Sequence, residues 1–70
     1  MMRERIRRLY VEKRKKGNKC QYLVLAKHYH FALKYELNGI ASVGSEEVIE
    51  WYEGMKVIVL DTVDDVLLIG

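Results

Sequence analysis

The residues of this sequence best suited to chemistry are the lysines and arginines of its first twenty positions. Residues 1–20 hold nine of these cations against two acids, Glu4 and Glu12. From Glu36 onward the balance reverses, with eight acids against a single lysine, Lys56. Because lysine and arginine neutralise phosphates, this asymmetry predicts a polyanionic partner, DNA or RNA, for the N-terminal end. The same charge separation also suits self-association or docking to another protein.

Residues 2–16 predict the helix that displays these cations. The segment has no glycine or proline, and Gly17-Asn18 is a typical helix terminus. Ile6, Leu9 and Tyr10 fall at i, i+3 and i+4, so they form the side that packs on a sheet. The opposite side is cationic and leads into a basic turn. The predicted nucleic-acid-binding residues are Arg7, Arg8, Arg14, Lys15, Lys16 and Lys19.

Two histidines raise the question of a metal site. In a strand, His28 and His30 would lie on the same face, a spacing that can supply two imidazole ligands. A third ligand of suitable spacing is missing from the sequence, so we predict neither a metal nor a cofactor. The serines, Thr62 and Cys20 lie in no motif of an activated nucleophile. We therefore expect a binding protein and not an enzyme.

The middle of the chain predicts two strands, at residues 20–26 and 28–37. Residues 28–37 alternate between apolar and mixed positions with period two, which is typical of a half-buried strand. A helix is the alternative, because Leu25, Tyr29, Leu33 and others also fit helical spacing. That alternative would leave Phe31 and Tyr35 on an exposed face, and on this ground the strand is preferred.

The C-terminal third predicts a short acidic helix over residues 46–53, capped by Ser45, and then a hairpin of strands 55–60 and 66–70. Both strands are apolar on both faces, so each needs cover on two sides. A chain of 70 residues has little material for the second side. We therefore predict a homodimer or other homo-oligomer. Its predicted interface residues are Val57, Val59, Val66 and Leu68.

This C-terminal pattern of glycine, Lys56 to Val59, an acidic turn and Val66 to Ile69 resembles the second half of AbrB-like and MazE-like DNA-binding proteins. The resemblance covers Glu53 to Ile69 and implies a swapped-hairpin dimer. The first half of those proteins, an arginine-rich loop followed by an isoleucine-proline motif, has no counterpart in this chain.

Taken together, these patterns predict an α+β domain spanning residues 1–70. It would have a small antiparallel sheet or barrel of about four strands, a basic N-terminal helix and a short acidic helix. The single cysteine, the absence of a secretory signal and the lack of a long apolar run predict a cytoplasmic protein that does not enter membranes. The predicted function is nucleic-acid binding, DNA-binding included, with a regulatory role. The alternative is a protein-interaction or structural module that self-associates through the hairpin and docks a protein partner through its charge dipole.

Overall fold

The computed structural model describes residues 1–39 and 48–70. Within these ranges it contains two helices and four strands. In chain order they are α1 (Met2–Lys15), β1 (Tyr22–Leu25), α2 (Lys27–Asn38), β2 (Trp51–Tyr52), β3 (Met55–Val59) and β4 (Leu67–Ile69). The predicted α+β class, a sheet of four strands and the N-terminal basic helix are confirmed, but the sheet is mixed and open where an antiparallel sheet or barrel was predicted, and one of its strands, β2, was not predicted.

The four strands form one open mixed sheet in the order β2-β3-β1-β4. β1 is a central strand that pairs in parallel with β3 and antiparallel with β4. Leu23 therefore lies between Val57 on one side and Leu68 on the other. A parallel pair requires a crossover connection, and α2 is part of the chain that links β1 to β3.

The predicted hairpin of residues 55–60 and 66–70 is wrong, because β1 lies between its two strands. Both segments are strands, as their apolar character indicated, but neither pairs with the other. The acidic turn between them joins two strands that are not neighbours in the sheet. The physical reason is that β1 is equally apolar and pairs with both.

The predicted strand at residues 28–37 is also wrong, since this segment forms α2. In the helix, Leu33 and His30 enter the protein interior while Phe31 and Tyr35 lie in solvent. The exposure of these two rings was the reason for preferring a strand. The free energy gained by burying Leu33 of α2 in the core outweighs the cost of exposing the two rings. The segment also contains no β-branched residue that would favour a strand.

The predicted acidic helix at residues 46–53 has no counterpart among residues 48–53, and residues 46 and 47 lie outside the described residues. Trp51 and Tyr52 instead form β2, which pairs with β3 through the two-residue turn Glu53-Gly54. Both turn residues have positive φ, 51° and 79°, as the tight hairpin turn with matching strand twist requires. Glycine adopts this conformation freely, whereas Glu53 does so at some cost.

Both helices cover the same face of the sheet, and the core lies between the two layers. Its buried apolar residues come from both helices, from all four strands and from the β3–β4 connection: Met2, Ile6, Leu23, Leu25, Leu33, Tyr52, Met55, Val57, Val66 and Leu68. We call this covered side the inner face of the sheet and the opposite side its outer face.

The two ends of α1 are closed in different ways. At its C-terminus, Gly17 has positive φ, and the amides of Gly17 and Asn18 donate to the carbonyls of Arg14 and Lys13. This is the Schellman arrangement that the Gly17-Asn18 pair predicted. At its N-terminus, the Glu36 carboxylate of α2 accepts hydrogen bonds from the backbone amides of Met2 and Arg3, at 2.7 and 3.2 Å. One helix thus caps the other.

Within residues 1–39 and 48–70, neither helix has the length and apolar character needed to cross a membrane.

Candidate nucleic-acid interface

The amphipathic pattern of α1 determines which of its side chains reach solvent. Met2 and Ile6 are buried, and Leu9 and Tyr10 pack against the core. The helix therefore lies with its apolar stripe on the sheet, as its i, i+3, i+4 spacing predicted. Its opposite side faces solvent along its whole length.

All six residues predicted to contact nucleic acid are exposed. They are Arg7, Arg8, Arg14 and Lys15 on α1, and Lys16 and Lys19 in the turn that follows. Among the described residues, none of these six forms an ion pair or a side-chain hydrogen bond. We call this set the cationic face. Its charges are available to a ligand because no carboxylate among the described residues forms an ion pair with them.

The spacing on the cationic face follows from helix geometry. Arg7 and Arg14 are seven residues apart, as are Arg8 and Lys15. A rise of about 1.5 Å per residue places the Cα atoms of each pair roughly 10.5 Å apart along the axis, nearly in line. The face therefore presents two rows of cations, with Glu4 and Val11 between them.

Arg5 differs from the arginines of the cationic face because its charge is paired within the fold. It forms an ion pair with Asp65 of the β3–β4 connection. Its guanidinium also lies over the ring of Tyr29, 5.5 Å from the ring centroid. Sequence reasoning missed this contact, since the partners are 60 residues apart. Arg5 thus holds α1 against α2 and the loop before β4, whereas the cationic face is free.

A groove of about 550 Å³ runs between α1 and α2. Arg8 of the cationic face lines it from one side and His28 from the other. The ring of His28 contacts that of Tyr29, with their centroids 4.1 Å apart. The remaining lining residues are Met1, Met2, Glu4, Arg5, Ala32 and Glu36. The groove thus joins the cationic face to aromatic side chains of α2.

A second groove, of about 430 Å³, lies between α1 and the β2–β3 turn. Arg3 and Arg7 line it together with Tyr10 and Tyr52, while Glu4 and Glu53 add two negative charges. Its balanced charge makes it a poorer anion site than the cationic face, which includes Arg7.

The structure places the predicted interface residues inside the chain. Val57, Val66 and Leu68 are buried in the core, and Val59 packs against it. They lie beneath the chain's own helices and so are not displayed to a second subunit. The exposed apolar residues of these strands belong to the outer face, and Leu67 and Ile69 are examples.

The two histidines do not share a face, because two positions on a helix are about 200° apart. His28 is exposed, and His30 is buried with its Nε2 accepting a hydrogen bond of 3.0 Å from the amide of Ile49. Burial lowers the pKa of His30 below its ordinary value of 6.5, and the nearby charge of Lys34 lowers it further. Among the described residues, no three His, Cys, Asp or Glu side chains cluster as metal ligands would.

Comparisons of this chain with protein-family models, with curated proteins and with solved structures gave no match. Any functional conclusion must therefore come from the geometry of the cationic face and of the surfaces around it.

Proposed function

We propose that this protein binds nucleic acid through the cationic face of α1 and the turn after it. The observation that supports the proposal is that all six cations reach solvent without an ion-pair partner among the described residues. A folded chain gains little from concentrating like charges on one helix face, because they repel one another. A polyanion bound there would relieve that repulsion.

The mode of binding follows from the side chains involved. Lysine and arginine on an exposed helix contact phosphates and release condensed counterions, which supplies affinity without reading base sequence. We expect binding to be tight at low salt and weakly dependent on sequence. A cytoplasmic and regulatory role belongs to the same proposal, since the lone Cys20 suits a reducing compartment.

The test is a titration of labelled duplex DNA at a series of salt concentrations. Four phosphate contacts, by Arg7, Arg8, Arg14 and Lys15, predict a log–log slope of about −3.6. Lys15→Ala should make this slope shallower by about one. The matched control is Lys56→Ala, which removes a lysine from the outer face of the sheet and should leave the slope unchanged.

The double variant Arg8→Ala/Lys15→Ala extends the test. It should weaken binding to all sequences alike and shift the slope by about two, while circular dichroism reports an intact fold. If the wild-type protein binds neither DNA nor RNA at low salt, the cationic face serves solubility or protein docking and the proposal fails.

Self-association is a second candidate function, and the outer face of the sheet favours it. Cross-strand pairing aligns Trp51, Lys56, Tyr22 and Ile69 in one row across the four strands. In a second row of Ile58, Val24 and Leu67, Leu67 is exposed, Ile58 is half-buried and Val24 is buried. Lys56 is the only charged residue in either row.

A second copy of this chain is the proposed occupant of the outer face. Within residues 1–39 and 48–70, both helices lie on the inner face, and exposed apolar side chains such as Trp51, Leu67 and Ile69 on the outer face are typical of protein contacts. Leu67→Lys should convert a dimer to a monomer in sedimentation experiments. Leu37→Lys, which places the same charge at an exposed position of α2, should leave the dimer intact. A wild-type protein that is monomeric at tens of micromolar would rule the dimer out.

The alternative function is a module that docks another protein through its charge dipole. Ultraviolet absorbance of the purified protein distinguishes this module from a nucleic-acid-binding protein. A nucleic-acid binder should carry absorbance near 260 nm through purification and lose it in high salt, whereas a protein adaptor should not.

A further inference from the structure

We propose that the ligand includes single-stranded nucleic acid, and that its bases stack on three exposed rings of α2: His28, Phe31 and Tyr35. This inference rests on the proposed function, because it assigns the phosphates of the same strand to the cationic face. It adds a second contact surface and names the form of nucleic acid that fits it.

The three rings form a stripe along α2. They fall at i, i+3 and i+7, so they lie on one side of the helix over roughly 10.5 Å. Phe31 is 47 % exposed and Tyr35 51 %, while Leu33 on the opposite side of α2 is fully buried. The fold therefore gains little from these two rings, although each exposes apolar surface to water.

The first ring of the stripe has a side-chain neighbour. The ring of His28 contacts that of Tyr29 at an angle of 42°, with the centroids 4.1 Å apart, and Tyr29 in turn lies under the guanidinium of Arg5. Arg5 also forms an ion pair with Asp65. A ring packed in this way offers a preformed surface, so a base that stacks on it costs less ordering of side chains.

His28 also connects the stripe to the cationic face. It lines the groove between the helices together with Arg8, which belongs to the cationic face. The Glu36 carboxylate in this groove already accepts hydrogen bonds from the amides of Met2 and Arg3. The two helices run antiparallel, since Glu36 lies at Met2 and His28 lies near Arg8, so a strand whose phosphates contact Lys15 and then Arg8 reaches the ring stripe at His28 and continues along it.

Single-stranded nucleic acid is the ligand whose chemistry matches this combination. In a duplex the base faces are stacked on each other, so only unpaired bases can lie on protein rings. Positively charged grooves beside aromatic rings are the usual arrangement for binding single strands with little sequence preference. The outer face of the sheet is a poorer platform, because the cross-strand row that holds Trp51 and Tyr22 contains a single cation, Lys56.

The experiment titrates three labelled probes of one mixed sequence: single-stranded DNA, single-stranded RNA and duplex DNA. The wild-type protein should bind one or both single strands more tightly than the duplex. Phe31→Ala/Tyr35→Ala should weaken single-strand binding by at least tenfold, given about 5- to 150-fold per stacked base. Duplex binding and the salt slope should not change, because the cations remain.

Three further variants separate stacking from a general loss of structure. Tyr35→Phe keeps the ring and should bind as the wild type does, whereas Phe31→Leu keeps apolar volume without a ring and should bind more weakly. Leu37→Ala removes an exposed apolar side chain of α2 outside the ring stripe and should have no effect.

Two results would overturn the inference while leaving the proposed function intact. One is a wild-type protein that binds duplex DNA at least as tightly as both single strands. The other is an unchanged single-strand affinity in Phe31→Ala/Tyr35→Ala. A protein that binds none of the probes at low salt would overturn the proposed function as well.

Discussion

The two faces of the sheet are built from similar residues but have different surroundings. Along β4, Leu67, Leu68 and Ile69 are 46 %, 2 % and 47 % exposed. All three are large and aliphatic, so hydrophobicity does not distinguish them. Leu68 is buried because both helices lie over the inner face. The comparison shows that the position of the helices, not the composition of the strands, decides which face becomes the core.

The same comparison applies to charge. The solvent side of the helix layer carries the cationic face, whereas the outer face of the sheet has Lys56 among apolar side chains. The cationic face and an apolar surface therefore lie on opposite sides of one small fold. Substitutions on one side can be made without disturbing the other, and this independence can be tested.

The largest expected effect contrasts two adjacent leucines. Leu68→Ala should lower the free energy of unfolding by about 2–5 kcal/mol, because it empties part of the core. Leu67→Ala should change it by at most about 0.5 kcal/mol in the isolated chain. Urea unfolding at low protein concentration measures both. Equal losses for the two variants would mean that the outer face is also a packed interior, and the contrast between faces would be wrong.

A smaller effect is expected where α2 caps α1. Glu36→Ala should lower the free energy of unfolding by about 1 kcal/mol, since the amides of Met2 and Arg3 lose their acceptor. Glu36→Gln retains one acceptor oxygen without the charge and should cost less. Thermal unfolding followed by circular dichroism compares the two. The control is Glu50→Ala, which removes an exposed acid that does not cap α1. Glu53 is unsuitable as a control, because its positive φ in the β2–β3 turn would make the substitution affect stability in its own way.

The pH dependence of stability reports on how α2 is held to the segment before β2. The pKa of His30 is lowered in the folded chain by burial and by Lys34, from 6.5 in the unfolded chain. Between pH 6.5 and the lowered pKa, His30 therefore binds a proton in the unfolded chain but not in the folded chain. The free energy of unfolding should fall as pH decreases through this window.

Urea midpoints at pH values above and below 6.5 measure this slope. The variant His30→Gln should lose it, because the group that titrates has been removed. His28→Gln replaces the exposed histidine and should retain it. A slope that survives in His30→Gln would assign the pH dependence to other groups.

The smallest effect concerns the ion pair between Arg5 and Asp65. Both side chains are partly exposed, so water screens the pair and its coupling should be about 0.2–1 kcal/mol. A double-mutant cycle with Arg5→Ala and Asp65→Ala isolates this coupling, and added salt should reduce it. A coupling well above 1 kcal/mol would show that the contact of Arg5 with Tyr29 strengthens the pair.

Much of the local structure could be predicted from the residues themselves. The helix at Met2–Lys15, its Schellman terminus and its exposed cations follow from composition, spacing and the Gly17-Asn18 pair. The strands β1, β3 and β4 correspond to apolar segments. The segment of α2 was predicted wrongly because its apolar residues fit both the two-residue period of a strand and the 3.6-residue period of a helix. The exposure of Phe31 and Tyr35 was read as evidence against a helix, although their helical spacing was the signal of a ring stripe.

The sequence by itself determined the helix α1, its C-terminal cap and where the cations collect, because helix periodicity and terminating residues act over a few neighbouring positions. Only the tertiary structure decided the strand order, since β1, β3 and β4 are similarly apolar and no local rule selects which two are neighbours. It also decided that Glu36 caps α1 and that Arg5 pairs with Asp65. These contacts join residues 34 and 60 positions apart, so they exist only after the helices have packed on one face of the sheet.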